Sequence, residues 1–387
     1  MKVLLVSPNG LQELSGGGLY LRSIAQSLCN SPEITELTVI SKDVGRRDAF
    51  EVSSKCRALY LRKSAWRDVL ARVVLCPTFL RTYRSAITAQ ARSADVIMFH
   101  NSRCGGLMRH ARRKVPGKTY AILSDNVEAE LKRQHRETNM LRKVTNDLET
   151  WIIRRNEALA SAADLMTFIT EADRTLFSEC YGAPRRDGIL PIALPRGNAI
   201  AGGEGSQQGR PARVLFTAHF GFAPNKKALE NFAEVARKFR LLSPLPVEFV
   251  AAGAKAAEAA AGYPEIHAID SPSPDLMAAT LASASVYLAP VDWGSGMKTK
   301  VAEAMSYGLP VICMPNAAVG YEAVLSDPGF QGTVHVVDSI SRMAEVLHNF
   351  LQSPDLRPGR EKVLGAFDTL YSYASQTRRL ENLLLTR

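Results

Sequence analysis

Short apolar runs alternate along the chain with segments whose apolar residues recur every three or four positions. The first run, KVLLV (2–6), reads as a buried parallel strand. A loop with three successive glycines follows. It opens an amphipathic helix on which Leu21, Ile24, Ala25 and Leu28 recur at helical spacing. LTVIS (37–41), ADVIMFH (94–100), KTYAILSD (118–125) and ADLMTFIT (163–170) are further strand candidates, with helical stretches between them. That alternation predicts a doubly wound parallel sheet. Between Pro195 and Arg213 the pattern stops, and the segment is Gly/Gln-rich and nearly devoid of large apolar residues. This marks a linker over 196–212. A second alternation then starts, with strands RVLFTAHF (213–220), VEFVAAG (247–253), SVYLAPV (285–291), PVICMP (310–315) and GTVHVVD (332–338). NKKALENFAEVARKF (225–239) is its first helix, and GAFDTLYSYASQTRRLENLLL (365–385) reads as a terminal amphipathic helix. Two α/β halves on one linker predict a cleft at the carboxyl ends of their strands, where such folds bind ligands.

At 387 residues, each half is long enough to bury its own core. The six cysteines lie far apart without a CxxC pair, so neither a disulfide framework nor a zinc site is suggested. No apolar run approaches the roughly 18–20 residues of a membrane span. The apolar start is too short for a signal-peptide core, and a cytoplasmic protein is expected. The formal charge of +10 points to anionic partners: nucleic acid, anionic lipid or phosphorylated ligands. No zinc finger, RNP-type aromatic motif or basic helix-turn-helix is legible, so no nucleic-acid partner is expected. The stretch from Leu61 to Arg92 sets Arg62, Lys63, Arg67, Arg72, Arg81, Arg84 and Arg92 against a single Asp68. Trp66, Val69, Leu70, Val73 and Val74 are interleaved at roughly helical spacing, which suits a helix lying on an anionic membrane surface. The alternative is a solvated basic face over a buried stripe.

The most informative segment is WGSGMKTKVAEAMSYGLPVI, Trp293 to Ile312. A strand enters a loop whose Gly294 and Gly296 let backbone N–H groups approach a ligand closely. A helix follows, with Met297, Val301, Ala304 and Met305 on one face; Gly308 ends it, and Pro310 begins the next strand. Lys298 and Lys300 stand at the positive end of that helix, normally a poor place for cations. A diphosphate would reconcile them, drawing on the loop amides, the helix dipole and Lys298 together. Alternatively, Lys300 and Glu303 form an i,i+3 surface pair.

The segment GSGMKTKVAEAMSYGLPVICMP resembles the nucleotide-sugar-binding signature of GT-B glycosyltransferases, specifically the retaining enzymes of glycosyltransferase family 4. SGGGLYLRSIAQSL is similar to that family's glycine loop after its first strand, and DNVEAELKRQ to its His-Asn-x-Glu segment. ASAADLMTFITEADR is similar to the last strand of its first domain, and LFTAHFGFAPNKKALENF to the start of its second. The resemblance implies an α/β protein of GT-B class, with two Rossmann-like doubly wound domains facing each other across a cleft. Domain boundaries are expected at 1–195 and 213–365, with a helix over 366–387 packing back on the N-terminal domain.

The resemblance also implies roles. Glu303 matches the glutamate that binds the ribose hydroxyls. The first glutamate of the family's pair falls on Ser295, a departure shared by the Gly-Ser-Gly-x-Lys branch. The donor sugar is then expected on Lys298 and the Gly294, Ser295, Gly296 and Met297 backbone. His219 stands where the family has an arginine for the diphosphate, and Lys226 or Lys227 near its lysine. Gly17 and Gly18 fit the loop that approaches diphosphate or acceptor. His100 matches a family position at a strand end. Asp125 replaces a histidine that contacts donor sugar or acceptor, which makes it a candidate acceptor base with Glu128 in reserve. The implied reaction transfers a sugar from a nucleoside diphosphate sugar to a hydroxyl acceptor, a glycan or lipid-linked glycan, with retention. No cofactor is implied beyond that donor substrate, and no metal site is legible. A degenerate GT-B scaffold or partner subunit and a sugar-nucleotide epimerase are the alternatives.

Overall fold

A computed structural model describes the chain except residues 46–49, 51–52, 135–139, 198–210, 295, 354–355 and 386–387. The described chain divides into two compact units. One comprises Met1–Ala193 together with Tyr373–Arg387, and the other comprises Leu194–Ser372. Most of the 196–212 linker expected from the sequence lies outside the described residues.

The first unit is built on seven strands: β1 (Lys2–Val6), β2 (Glu36–Lys42), β3 (Cys56–Leu61), β4 (Val96–His100), β5 (Thr119–Ser124), β6 (Leu165–Phe168) and β7 (Asp187–Ile189). Their order is β3-β2-β1-β4-β5-β6-β7, and every pairing is parallel. Parallel strands sit under helices on both faces, so β1 and β4 are continuous apolar runs whose residues Val3 to Val6 and Val96 to Phe99 are buried. Two strands of this unit escaped the sequence reading. β3 carries mostly half-buried residues, and β7 is three residues long with Asp and Gly in it, so neither makes an apolar run.

The second unit repeats the plan with β8 (Ala212–Thr217), β9 (Val247–Gly253), β10 (Ile266–Asp270), β11 (Val286–Ala289), β12 (Val311–Cys313) and β13 (Val334–Val336). The order is β10-β9-β8-β11-β12-β13, again all parallel. Its helix Ala223–Leu242 buries Ala228, Phe232, Val235 and Phe239 along one stripe. Phe232 and Phe239 meet Phe249 of β9 with ring centroids 5.7 and 5.8 Å apart, an edge-on arrangement that adds to the apolar burial.

Two expectations change. The terminal helix is two helices, Arg360–Leu370 in the second unit and Tyr373–Leu385 in the first. The chain breaks between them at Tyr371–Ser372, where the Leu194 amide donates to the Tyr371 carbonyl at 3.0 Å. The second helix is held to the helix Gly16–Asn30 by Ser23 and Ser27, whose hydroxyls donate to Gln376 Oε1 at 2.9 and 2.8 Å. The basic stretch is likewise not one helix. Pro77 separates Ala65–Val73 from a turn at Phe79–Tyr83 and the helix Arg84–Ala91, whose Phe79, Leu80, Ile87 and Ala91 are buried in the core. Among the described residues, no helix is long and apolar enough to cross a membrane.

Candidate functional sites at the two switch points

A sheet of this order reverses its winding between its first-laid strand and the fourth. The strand ends diverge there and leave room for a ligand. In the second unit that point lies between β8 and β11. Their ladder ends at Leu215–Tyr287. Beyond it, the buried Tyr287 hydroxyl lies 3.3 Å from the Thr217 amide and 3.1 Å from the Thr217 hydroxyl, tying the strand ends together.

From β11 the chain enters the Trp293–Lys298 loop. Gly294 and Gly296 have φ of +120° and +68°, backbone states that L side chains rarely adopt. Ser295, between them, lies outside the described residues. Lys298 is the N-cap of the helix Thr299–Ser306, and no cap side chain closes that end. Instead the buried Tyr321 hydroxyl accepts from the Ala302 amide at 2.8 Å and donates to the Lys298 carbonyl at 2.9 Å. This fixes the first turn and the backbone of Lys298 against it. The Lys298 ammonium donates back to the Gly296 carbonyl at 2.9 Å. Met297 is buried beneath the loop, as are Val301, Ala304 and Met305. Glu303 lies off that stripe and accepts from the Lys300 ammonium at 2.8 Å. A cation at each of two positions, glycine amides and a helix N-terminus are thus gathered within one loop, a natural seat for an anion.

His219, just past β8, is exposed. Its Nδ1 accepts from the Gly221 amide at 3.2 Å, and its carbonyl accepts from Asn225 at 2.9 Å. Lys226 is exposed in the first turn of the helix Ala223–Leu242, whereas Lys227 is engaged with Glu230 at 2.9 Å.

In the first unit the switch point lies between β1 and β4. Ser15 caps the helix Gly16–Asn30 by accepting from the Gly18 amide at 3.2 Å. A Cβ on Gly18 would stand 2.2 Å from the Glu13 carbonyl oxygen, so that glycine is required by space, whereas one on Gly17 would stand 2.6 Å from Asn9 Nδ2 and displace only that side chain. His100, wholly buried at the end of β4, shares a hydrogen bond between its Nδ1 and Ser7 Oγ at 2.8 Å. Its Nε2 is buried and meets no hydrogen-bond partner among the described residues. The Asp125 carboxylate is 3.6 Å away. Such an orphan is uncommon in a folded interior.

The structure adds residues that the sequence reading missed. Asn101, at a positive φ of 83°, donates through Nδ2 to Asp125 at 2.7 Å and Glu128 at 2.8 Å. Its Oδ1 accepts from the Arg103 amide and side chain at 3.0 and 2.9 Å. Burial pushes the Asp125 carboxyl up, but His100 and Arg103 outweigh it and hold the group below its ordinary value. Behind this cluster, buried Glu157 accepts from Ser102, Tyr181 and the Glu128 and Ala129 amides at 2.8 to 3.3 Å. Burial nonetheless pushes Glu157 above its ordinary value. A signal was present for both. HNSR follows a wholly apolar strand, and Asn156-Glu157 interrupts the buried stripe of the helix Met140–Ala160. Among the described residues no group of three His, Cys, Asp or Glu side chains forms a metal site.

Against known proteins, residues 211–353 match the family of glycosyl transferases group 1. No curated protein matches the sequence. Among solved structures, the lipopolysaccharide outer core galactosyltransferase WaaB in its apo form aligns at TM-score 0.67 and 14% identity, over 100% of this chain and 99% of that one. Sucrose-phosphate synthase from Thermosynechococcus elongatus aligns at 0.72 and 14%, over 100% and 98%. The trehalose-6-phosphate protein from E. coli bound with UDP-2-fluoro glucose aligns at 0.68 and 11%, over 100% and 99%. The chain has the GT-B fold, and its second unit carries the match to the glycosyl transferases group 1.

Proposed function

We propose that the protein is a retaining glycosyltransferase, moving a sugar from a nucleoside diphosphate sugar to a hydroxyl acceptor in cell-surface polysaccharide or glycolipid synthesis. The observation that carries this is the loop from Gly294 to Lys298, at the switch point of the second sheet and within the segment matched to glycosyl transferases. In this reading the loop amides, the start of the helix Thr299–Ser306 and Lys298 take the diphosphate. They stabilise the charge that grows on it as the glycosidic bond to the donor breaks. Glu303 accepts from the ribose hydroxyls, exchanging its contact with Lys300 for them. His219, on the loop after the neighbouring β8, and Lys226, in the first turn of the helix Ala223–Leu242, add cationic or polar contacts to the same anion. Gly17 and Gly18 offer close backbone approach in the first unit. His100, Asp125 and Glu128 form the sugar- or acceptor-facing set. With its carboxyl held low, Asp125 suits a fixed anion that orients His100 better than it suits a base at neutral pH.

A second reading, a degenerate GT-B protein serving as scaffold or partner subunit, is favoured by one observation: Lys300 and Glu303 already satisfy one another. Donor turnover separates the two. With purified protein and a panel of UDP-, GDP-, TDP- and ADP-sugars, at least one donor is expected to be hydrolysed or transferred. NMR of the product anomer is expected to show retention. Lys298→Ala is expected to lower kcat/KM at least ~100-fold, as loss of one charge-stabilising group does, and Glu303→Ala at least ~10-fold through the lost ribose hydrogen bonds. No turnover of any donor, or variants as active as the wild type, sinks the proposal.

A further inference from the structure

The helix Ala65–Val73 is turned outward. Its one buried residue is Ala71, while Trp66, Val69, Leu70 and Val73, which share one face by i, i+3, i+4 and i+7 spacing, are 48–73% exposed. The first unit presents a second such face on the helix Met140–Ala160, where Val144, Leu148 and Trp151 repeat that spacing at 49–64% exposure. The two helices are tied together. Arg72 bonds Glu149 at 2.8 Å, and Asn156 donates to the Leu75 carbonyl at 3.0 Å. Soluble surfaces scatter such residues singly, so seven on two joined helices mark a docking face.

The charge around that face selects the occupant. The acids beside it are already met by cations: Asp68 by Lys63 at 3.3 Å and Arg72 at 3.8 Å, and Glu149 by Arg72 and Lys132. Exposed Asp147 stands next to Leu148. The guanidinium of Arg67 lies 4.4 Å from both the Trp66 and Tyr83 rings, and that of Arg155 6.0 Å from the Trp151 ring, so each tryptophan carries a cation at its side. Next to Trp66 an open cavity of about 480 Å³ is lined by Arg62, Lys63 and Arg67 against one carboxylate, Asp43, with Tyr60 and Tyr83 beside them. Apolar side chains beside tryptophans and arginines, with a cationic recess at the edge, match the layered chemistry of an anionic bilayer: acyl chains inside, phosphates outside.

We propose that the Trp66–Val73 and Val144–Trp151 faces together seat the first unit on an anionic phospholipid surface, with headgroup phosphates taken by the recess of Arg62, Lys63 and Arg67. This is independent of the donor chemistry assigned to the second unit. The chain has three tryptophans, Trp66, Trp151 and Trp293, so each can be isolated by Phe substitution of the other two and read against vesicles holding brominated acyl chains. With phosphatidylglycerol/phosphatidylcholine vesicles, the single-Trp66 and single-Trp151 proteins are expected to lose at least about half their fluorescence, and the single-Trp293 protein to keep it. Leu70→Asp with Leu148→Asp, both at exposed positions, is expected to weaken vesicle sedimentation at least ~tenfold.

Equal binding to pure phosphatidylcholine vesicles overturns the proposal, as does quenching of neither patch tryptophan, of Trp66 alone, or of Trp293 as strongly as the others. So does a lipid-free dimer in analytical ultracentrifugation that Leu70→Asp with Leu148→Asp dissociates, since the face then joins two copies of the chain. Inorganic phosphate that displaces the vesicles at low millimolar concentration, with no quenching of either patch tryptophan, reassigns the recess to a free anion and overturns the lipid assignment.

Discussion

Tyr321 fixes the candidate anion site without being able to bind the anion. Its hydroxyl, accepting from the Ala302 amide and donating to the Lys298 carbonyl, replaces the cap that the helix Thr299–Ser306 lacks. Tyr321→Phe leaves the buried Ala302 amide unmatched, while the Lys298 carbonyl keeps the Val301 amide at 2.9 Å; the expected loss is about 1–3 kcal/mol in urea unfolding. Nucleotide affinity should fall with it, because the Lys298 carbonyl loses one of its two donors; unchanged stability would show that water takes the hydroxyl's place. Glu157 makes a prediction about pH. Its folded-state value lies above its ordinary 4.5 because burial outweighs four hydrogen bonds. A raised group contributes stability that is fully present below its unfolded value and is lost as pH rises through the folded value. The stability of the wild type relative to Glu157→Gln should therefore fall between pH 4.5 and the folded value, and a constant difference from pH 4 to 7 contradicts this. Asp125 has the opposite sign: held low, it contributes stability that is present above its ordinary 3.8 and lost as pH falls further. These residues were hidden in the sequence for a physical reason. Glycines and lysines around a helix start announce an anion, whereas Tyr321, Asn101 and Glu157 act through partners 19 to 55 positions away.

At the scale of elements, the sequence was most legible where burial is continuous. The reading of β9 as VEFVAAG matches Val247–Gly253 residue for residue, and β1 likewise matches KVLLV. It missed β10, an edge strand whose His267 and Asp270 are exposed. An edge strand needs only one apolar side, so its composition resembles a turn. The C-terminal helix shows the converse. Its amphipathic pattern was plain, but its start was misplaced because Asp368 to Ser372 carry no glycine or proline to mark the break. Deleting Tyr373–Arg387 removes the Gln376 bonds to Ser23, Ser27 and the Pro191 carbonyl and uncovers Leu380. The first unit is expected to lose at least about 3 kcal/mol in urea unfolding, given several buried hydrogen bonds and one buried leucine. Retained stability would mean that the helix merely rests on the unit.

On the scale of the whole molecule, two sheets of the same winding place their candidate residues at corresponding points: His100 at the end of β4 of the first sheet, and the Gly294–Lys298 loop after β11 of the second. This is the physical content of the sequence reading. Two strand–helix alternations foretold two doubly wound halves, and the family resemblance carried by the glycine–lysine loop implied the GT-B fold, which the full-length structural similarity bears out. The central claim is that the second unit binds a nucleoside diphosphate through that loop, and thermal unfolding with UDP, GDP, TDP and ADP tests it most directly. At about 100 times its dissociation constant, a ligand specific to the folded state contributes about 2.7 kcal/mol, enough to raise the midpoint by roughly 5–10 °C for a unit of this size. At least one diphosphate should do so, and the rise should vanish in Lys298→Ala. Four diphosphates without effect on the wild type, or a rise that survives in Lys298→Ala, would contradict the account.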